Sequence, residues 1–200
     1  MNRYEKKYHN TEKKLIAALV SMLEKKDFDK ISISDICREA GVSRTTFYGH
    51  CSNTAELLAN AGRYKLHEFN NMMKAVGRMN LDTIIEDGLI DELNKDEIML
   101  PFLYSIETNR KLFMSCLKSH EGQKALSAAI KNVFFIPFLK NTDVASDEDA
   151  DYLASYFISG TLTIIYIWIK NGCVRDKKEI CELIRRCIGP RPLQSTEEEH

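Results

Sequence analysis

Within a short stretch the chain carries a helix cap, a helix stop and a second cap, and this punctuation constrains its fold more than anything else in it. Ser32 and Asp35 form a capping box. In such a box the hydroxyl accepts from the third amide and the acidic side chain reaches back to the cap amide. Ile33, Ile36, Cys37 and Ala40 then fall on one side of a short helix over 33–40. Gly41 stops it, since a left-handed residue after a helix costs glycine least. Ser43 caps a second helix running from Arg44 to about His50. Phe47 has the spacing to meet Ile36 and Ala40, so Arg44, Thr45, Thr46 and Tyr48 are left for the opposite face.

The helical period continues in both directions. Leu15, Ile16, Leu19, Met22 and Leu23 predict a helix over about 11–26, capped by Asn10 or Thr11. Asn53 with Glu56 opens a helix over about 54–74. Further helices are expected over 81–93, 97–106, 110–118 and 121–140, with Pro137 bending or ending the last. A long helix over 147–170 closes at Asn171-Gly172. A final one over 177–187, capped by Asp176 with Glu179, stops at Gly189-Pro190. No alternating strand pattern competes, so the fold class is all-α.

Residues 152–169 hold no charge, which calls for a membrane test. A spanning helix needs about 20 apolar residues. This stretch is shorter, holds Ser, Thr and Gly, and abuts an acidic run, so a buried helix is the expectation. The first residues are charged and polar, so no export signal is expected. Cys37, Cys51, Cys116, Cys173, Cys181 and Cys187 include no Cys-x-x-Cys pair and read as reduced thiols, with a cytoplasmic location expected. None of the five histidines makes a metal pair at helical spacing, and no phosphate loop or nucleophile elbow is present. Cys116 and His120 are four apart but have no third group to orient them. The expectation is a non-enzyme with no cofactor and no metal.

Charge is uneven along the chain. Residues 1–75 hold 13 basic and 9 acidic side chains, net +4, while the remainder is net −5. Only the first third suits a polyanion. A capped helical pair reads as a DNA-reading helix-turn-helix or as a plain hairpin with a solvated face. Arg44 and the threonine methyls suit base edges in a major groove, and Tyr48 and His50 suit phosphates.

The segment ISISDICREAGVSRTTFYGHCSNTAELL (31–58) resembles the DNA-binding signature of the tetracycline-repressor (TetR) family of bacterial transcriptional regulators. The resemblance covers about residues 10–65. FLYSIETNRKLF and FISGTLTIIYIWIKNG are similar to the C-terminal domains of a branch that includes regulators of dihydroxyacetone kinase operons. The resemblance implies a helix-turn-helix domain over 1–53, a connecting helix over 54–74, a ligand-binding and dimerisation domain over 75–190 and a flexible tail over 191–200. It implies a homodimer on double-stranded operator DNA, most often as a repressor, with the last two helices of each protomer in a four-helix bundle. Ser43, Arg44, Thr45, Thr46, Tyr48, His50 and Thr54 are then the expected DNA contacts.

Three positions depart from the family pattern: Thr54 replaces a phosphate-binding Lys, Cys51 replaces an aromatic, and Gly49 stands inside the expected recognition helix. At that place it would cost about 1 kcal/mol. Weakened DNA binding would leave a fold-related regulator that acts on another protein. Met99, Phe102, Phe134, Phe138, Tyr156 and Trp168 are candidates to line a pocket for a small apolar or weakly polar effector. Ser159, Thr163, Ile180 and Ile184 are candidates for the dimer interface. Helix 54–74, the covalent link between the two parts, is the expected lever for signalling.

Overall fold

The computed structural model describes residues 3–75, 96–131 and 147–188. Among these every regular element is helical. The expected helix over 81–93, Phe134, Pro137, Phe138 and the tail lie outside the described residues.

Helix α1 spans Arg3–Leu23 and starts a full two turns before the expected Thr11. The polar residues ahead of Thr11 are competent helix formers, and Glu5 suits the positive end of the dipole. Thr11 is therefore no cap; its hydroxyl donates back to the Lys7 carbonyl at 3.0 Å. The apolar stripe is as read: Leu15, Ile16, Leu19 and Leu23 are buried. A 3-10 turn, Phe28–Lys30, leads to α2 (Ile33–Ala40) and α3 (Arg44–Tyr48).

Helix α4 (Thr54–Ala75) is the pillar of the molecule. It packs most extensively on α7 (His120–Ile130), and also on α1 and on α6 (Arg110–Lys118). Gly62 makes this approach possible: a Cβ there would sit 3.0 Å from Cys116 Sγ and 3.2 Å from Leu126 Cδ2. Ser119 turns α6 into α7, its hydroxyl accepting from the Gly122 amide at 2.9 Å. Helix α5 (Asp96–Thr108) packs on α4 and α6.

Helix α8 spans Asp147–Lys170 and α9 spans Lys177–Ile188. Two consecutive left-handed residues, Gly172 and Cys173, reverse the chain between them. The Trp168 indole fastens the turn by donating to the Arg175 carbonyl at 2.9 Å. Asp176 caps α9 through the Lys178 amide at 2.8 Å, whereas Glu179 pairs with Arg175 rather than completing a box. The Lys177–Glu107 ion pair, 2.6 Å, ties α9 to α5 with the ammonium over the Tyr104 ring.

No helix among the described residues is long and apolar enough to cross a membrane. The uncharged stretch of α8 is buried on one side by Ala154, Ile158, Ile165, Trp168 and Ile169. Its other side is exposed at Tyr152, Ser155, Tyr156, Ser159, Gly160, Thr163 and Ile167.

Candidate nucleic-acid interface

Both sides of the capping box are made. Ser32 Oγ accepts from the Asp35 amide at 3.1 Å, and Asp35 Oδ2 accepts from the Ser32 amide at 3.3 Å. Lys26, from beyond the end of α1, donates to the same carboxylate at 2.9 Å, and Arg38 to its other oxygen at 2.7 Å. Lys26 and the Ser32 bonds hold the Asp35 carboxyl far below the usual carboxylate range. A group with a depressed folded-state pKa stabilises the fold above its unfolded pKa of about 4, and that stability is lost as pH falls below it. Asp35→Asn is therefore expected to lower stability at pH 7 and to flatten its dependence on pH between 5 and 2. Urea titrations across that range check it; an unchanged slope would refute the assignment.

Gly41 ends α2 at φ +66°, its amide bonding the Arg38 carbonyl and that of Val42 the Cys37 carbonyl. Ser43 then caps α3, accepting from the Thr46 amide at 3.0 Å. Its hydroxyl also pairs with Thr46 Oγ1 at 2.8 Å, so these two hydroxyls are engaged with each other. Phe47 is fully buried, in one core with Leu15, Leu19, Ile36 and Leu57. The consequence is that Arg44, Thr45 and Tyr48 stand exposed on the far side of α3.

Gly49 is not inside the recognition helix. It is the residue after the last turn, with an ordinary right-handed φ of −72°, so the expected helix-interior cost is absent. His50 is held differently from the other candidates. Its ring stacks on Tyr8 of α1, with centroids 4.0 Å apart, and its Nδ1 is buried without a hydrogen-bond partner among the described residues. Burial pushes its pKa down, against a smaller upward pull from Glu12. The stack on Tyr8 ties the end of the recognition unit to α1. Tyr8 itself was not legible as part of the site, because nothing local links it to a residue so far along the chain.

Thr54 is the first residue of α4. That helix start is tied by Asn53, which accepts from the Glu56 amide at 2.8 Å. The Glu56 carboxylate accepts from the Ser52 amide and hydroxyl, which lower its pKa. Exposed Lys6, Lys7, Lys13 and Lys14 on α1 add positive charge to this unit.

The remaining candidates are placed as follows. Met99, Phe102 and Trp168 are buried, but Tyr156 is 71% exposed. None of these four lines the groove beside α6 or the cleft between α4 and α5. Ser159 and Thr163 are exposed, as an interface requires. Ile180 and Ile184 are not: they are buried in the protomer's own core, where α9 packs on α5 and α8. Cys116 donates to the Leu58 carbonyl at 3.5 Å, and burial pushes its thiol up to about 12.

Residues 15–61 match the family model described as bacterial regulatory proteins, tetR family. Residues 94–189 match a second TetR-family model, described as a transcriptional regulator C-terminal region. An HTH-type transcriptional regulator of Haemophilus influenzae is 25% identical over 175 residues, covering 86% of this chain and 82% of that protein. Among solved structures, a tetR-family regulator from Streptomyces coelicolor aligns with a TM-score of 0.61 at 15% identity, over 88% of this chain and 80% of that one. The fatty acid degradation regulator FadR of Bacillus halodurans aligns at 0.60 and 14% identity, over 89% and 94%. The dihydroxyacetone kinase operon activator DhaS aligns at 0.55 and 20% identity, over 89% and 93%. With a family helix-turn-helix at one end and a family regulatory region at the other, this chain belongs to the TetR family of transcriptional regulators.

Proposed function

We propose that this chain binds a two-fold-related operator as a homodimer and represses transcription until a small effector releases it. The observation that carries the reading is the outward face of α3: Arg44, Thr45 and Tyr48, exposed on a helix whose opposite side is pinned by Phe47. Arg44 reads a base edge, the Thr45 methyl meets a base, and Tyr48 donates to a phosphate. Ser43 and Thr46 shape the helix start, and Thr54 meets the backbone at the start of α4. His50 sets the distance between α1 and α3. The division into residues 1–53, 54–74, 75–190 and 191–200 belongs to the same proposal, as does action in the cytoplasm.

The dimer surface is the exposed side of α8. Small Ser155, Ser159, Gly160 and Thr163 let a second helix approach, and exposed Tyr152, Tyr156 and Ile167 supply the apolar area. Helix α9 contributes its outer side rather than Ile180 and Ile184. A two-fold axis is the commonest way to pair such surfaces. The recognition helices then reach successive major grooves, one turn or about 34 Å apart. Any tilt of α4, 22 residues long, moves them.

Footprinting on the DNA beside the protein's own gene tests the reading. The expected result is a protected pseudo-palindrome holding two protomers. Arg44→Ala is expected to weaken operator binding by about 1–3 kcal/mol and to relax preference at one base in each half-site. Unchanged affinity and preference would remove Arg44 from the direct contacts.

A further inference from the structure

A groove of about 1050 Å³ is used by none of the assigned sites. It lies between two units of the molecule. One wall is the end of α1 with the 3-10 turn; the other is α6 with the end of α8. The two walls are joined by Lys111, whose ammonium donates to the Glu24 carbonyl at 2.6 Å and lies 3.4 Å from the Glu24 carboxylate.

The lining is strongly biased in charge, with seven Lys or Arg side chains against three acidic ones. Two of the acids are already matched: Glu24 by Lys111 and Asp27 by Lys30. Lys26 is taken by Asp35. That leaves Lys25, Arg110, Lys118 and Lys170 with no ion pair among the described residues, facing only Asp29. Phe28, Met114 and Tyr166, each half-buried, supply apolar surface between these cations. Excess positive charge over an apolar floor complements one ligand chemistry: an anionic head attached to a hydrophobic body.

We propose that this groove binds a small organic anion carrying an aromatic or aliphatic group. The anionic head sits at the Lys118 and Lys170 end of the groove, and the apolar part covers Phe28, Met114 and Tyr166. A ligand so placed touches the DNA-binding unit and the body at once, at a second junction besides α4. The binding itself needs no DNA, so it stands or fails separately from the operator reading.

The test is calorimetric titration of the full chain with 1-naphthyl phosphate, and with neutral 1-naphthol as its uncharged counterpart. The expected result is one site per protomer, with the phosphate binding at least tenfold tighter than the naphthol. Lys118→Gln with Lys170→Gln should weaken the phosphate at least tenfold and leave the naphthol unchanged. Both side chains are exposed and make no ion pair among the described residues, so the fold should tolerate the change. Lys13→Gln with Lys14→Gln, exposed on α1 away from the groove, should bind as the unaltered chain does. Raising salt from 50 to 300 mM should weaken only the phosphate. Equal binding of naphthol and phosphate would overturn the proposal. So would undiminished phosphate binding in the groove variant, or an equal loss in the α1 variant.

Discussion

Phe47→Ala should lower the unfolding free energy by about 3–5 kcal/mol, the usual cost of emptying an aromatic site in a core. Phe47 is fully buried, and it is the sole buried residue of α3. A helix of five residues has no stability of its own. It holds its shape because Ser43 caps one end and Phe47 anchors the middle. Removing the ring leaves a cavity beneath the recognition helix and frees Arg44, Thr45 and Tyr48 from their common face. Operator binding should therefore fall by more than the Arg44→Ala change alone produces. Phe47→Leu, which fills much of the space, should recover most of the stability. Urea unfolding and operator titration of the two variants check this. A loss under about 1 kcal/mol for Phe47→Ala would show that α3 is held by something else.

Gly122→Ala should cost about 3 kcal/mol or more, an overpacking penalty at the upper end of the usual range. A Cβ at this position would lie 2.4 Å from the Cys116 carbonyl oxygen, 2.6 Å from its Cα and 2.8 Å from Ser119 Oγ. Two of those neighbours are backbone, which cannot swing aside as a side chain can. The third is the cap that starts α7. Relief requires α6 and α7 to separate, and α7 is the main partner of α4. Gly62→Ala is the informative comparison. Its Cβ would press on the Cys116 sulfur and the Leu126 methyl, both side-chain atoms. The gain in helix propensity, about 1 kcal/mol, partly offsets that strain. Thermal melts should therefore rank Gly62→Ala well above Gly122→Ala; the reverse order would mean that the α6–α7 corner can open.

Local signals placed most of the DNA-reading unit. The Ser32 box, the Gly41 stop and the Ser43 cap are short-range hydrogen-bond patterns, and each forms between the residues that the sequence nominates. Helix α6 spans the expected residues, with Leu112, Phe113, Cys116 and Leu117 buried at helical spacing. Where a boundary depended on tertiary contact, the reading failed. Nothing near Thr11 says that α1 begins at Arg3. Gly49 looked like a fault inside a helix because its distance from Ser43 does not reveal that α3 closes at Tyr48.

Side-chain facing shows the same division. An apolar residue announces that it will be buried, but not against what. Ile180 and Ile184 were as well suited to a partner's helix as to their own core. Only the packing of α9 on α5 and α8 assigned them to the core. Tyr156 read as a pocket residue and stands in solvent, because the turn at Gly172 and Cys173 sets which side of α8 meets α9. The Tyr8–His50 stack and the Lys111–Glu24 link join residues tens of positions apart. The sequence alone therefore determined the all-helical class, the helix-turn-helix and the outward face of α3, since all three follow from caps and periods within a few residues. The tertiary structure alone decided the burial of α9, the stacking of His50 on Tyr8 and the cationic groove, since each depends on helices distant in the chain meeting side by side.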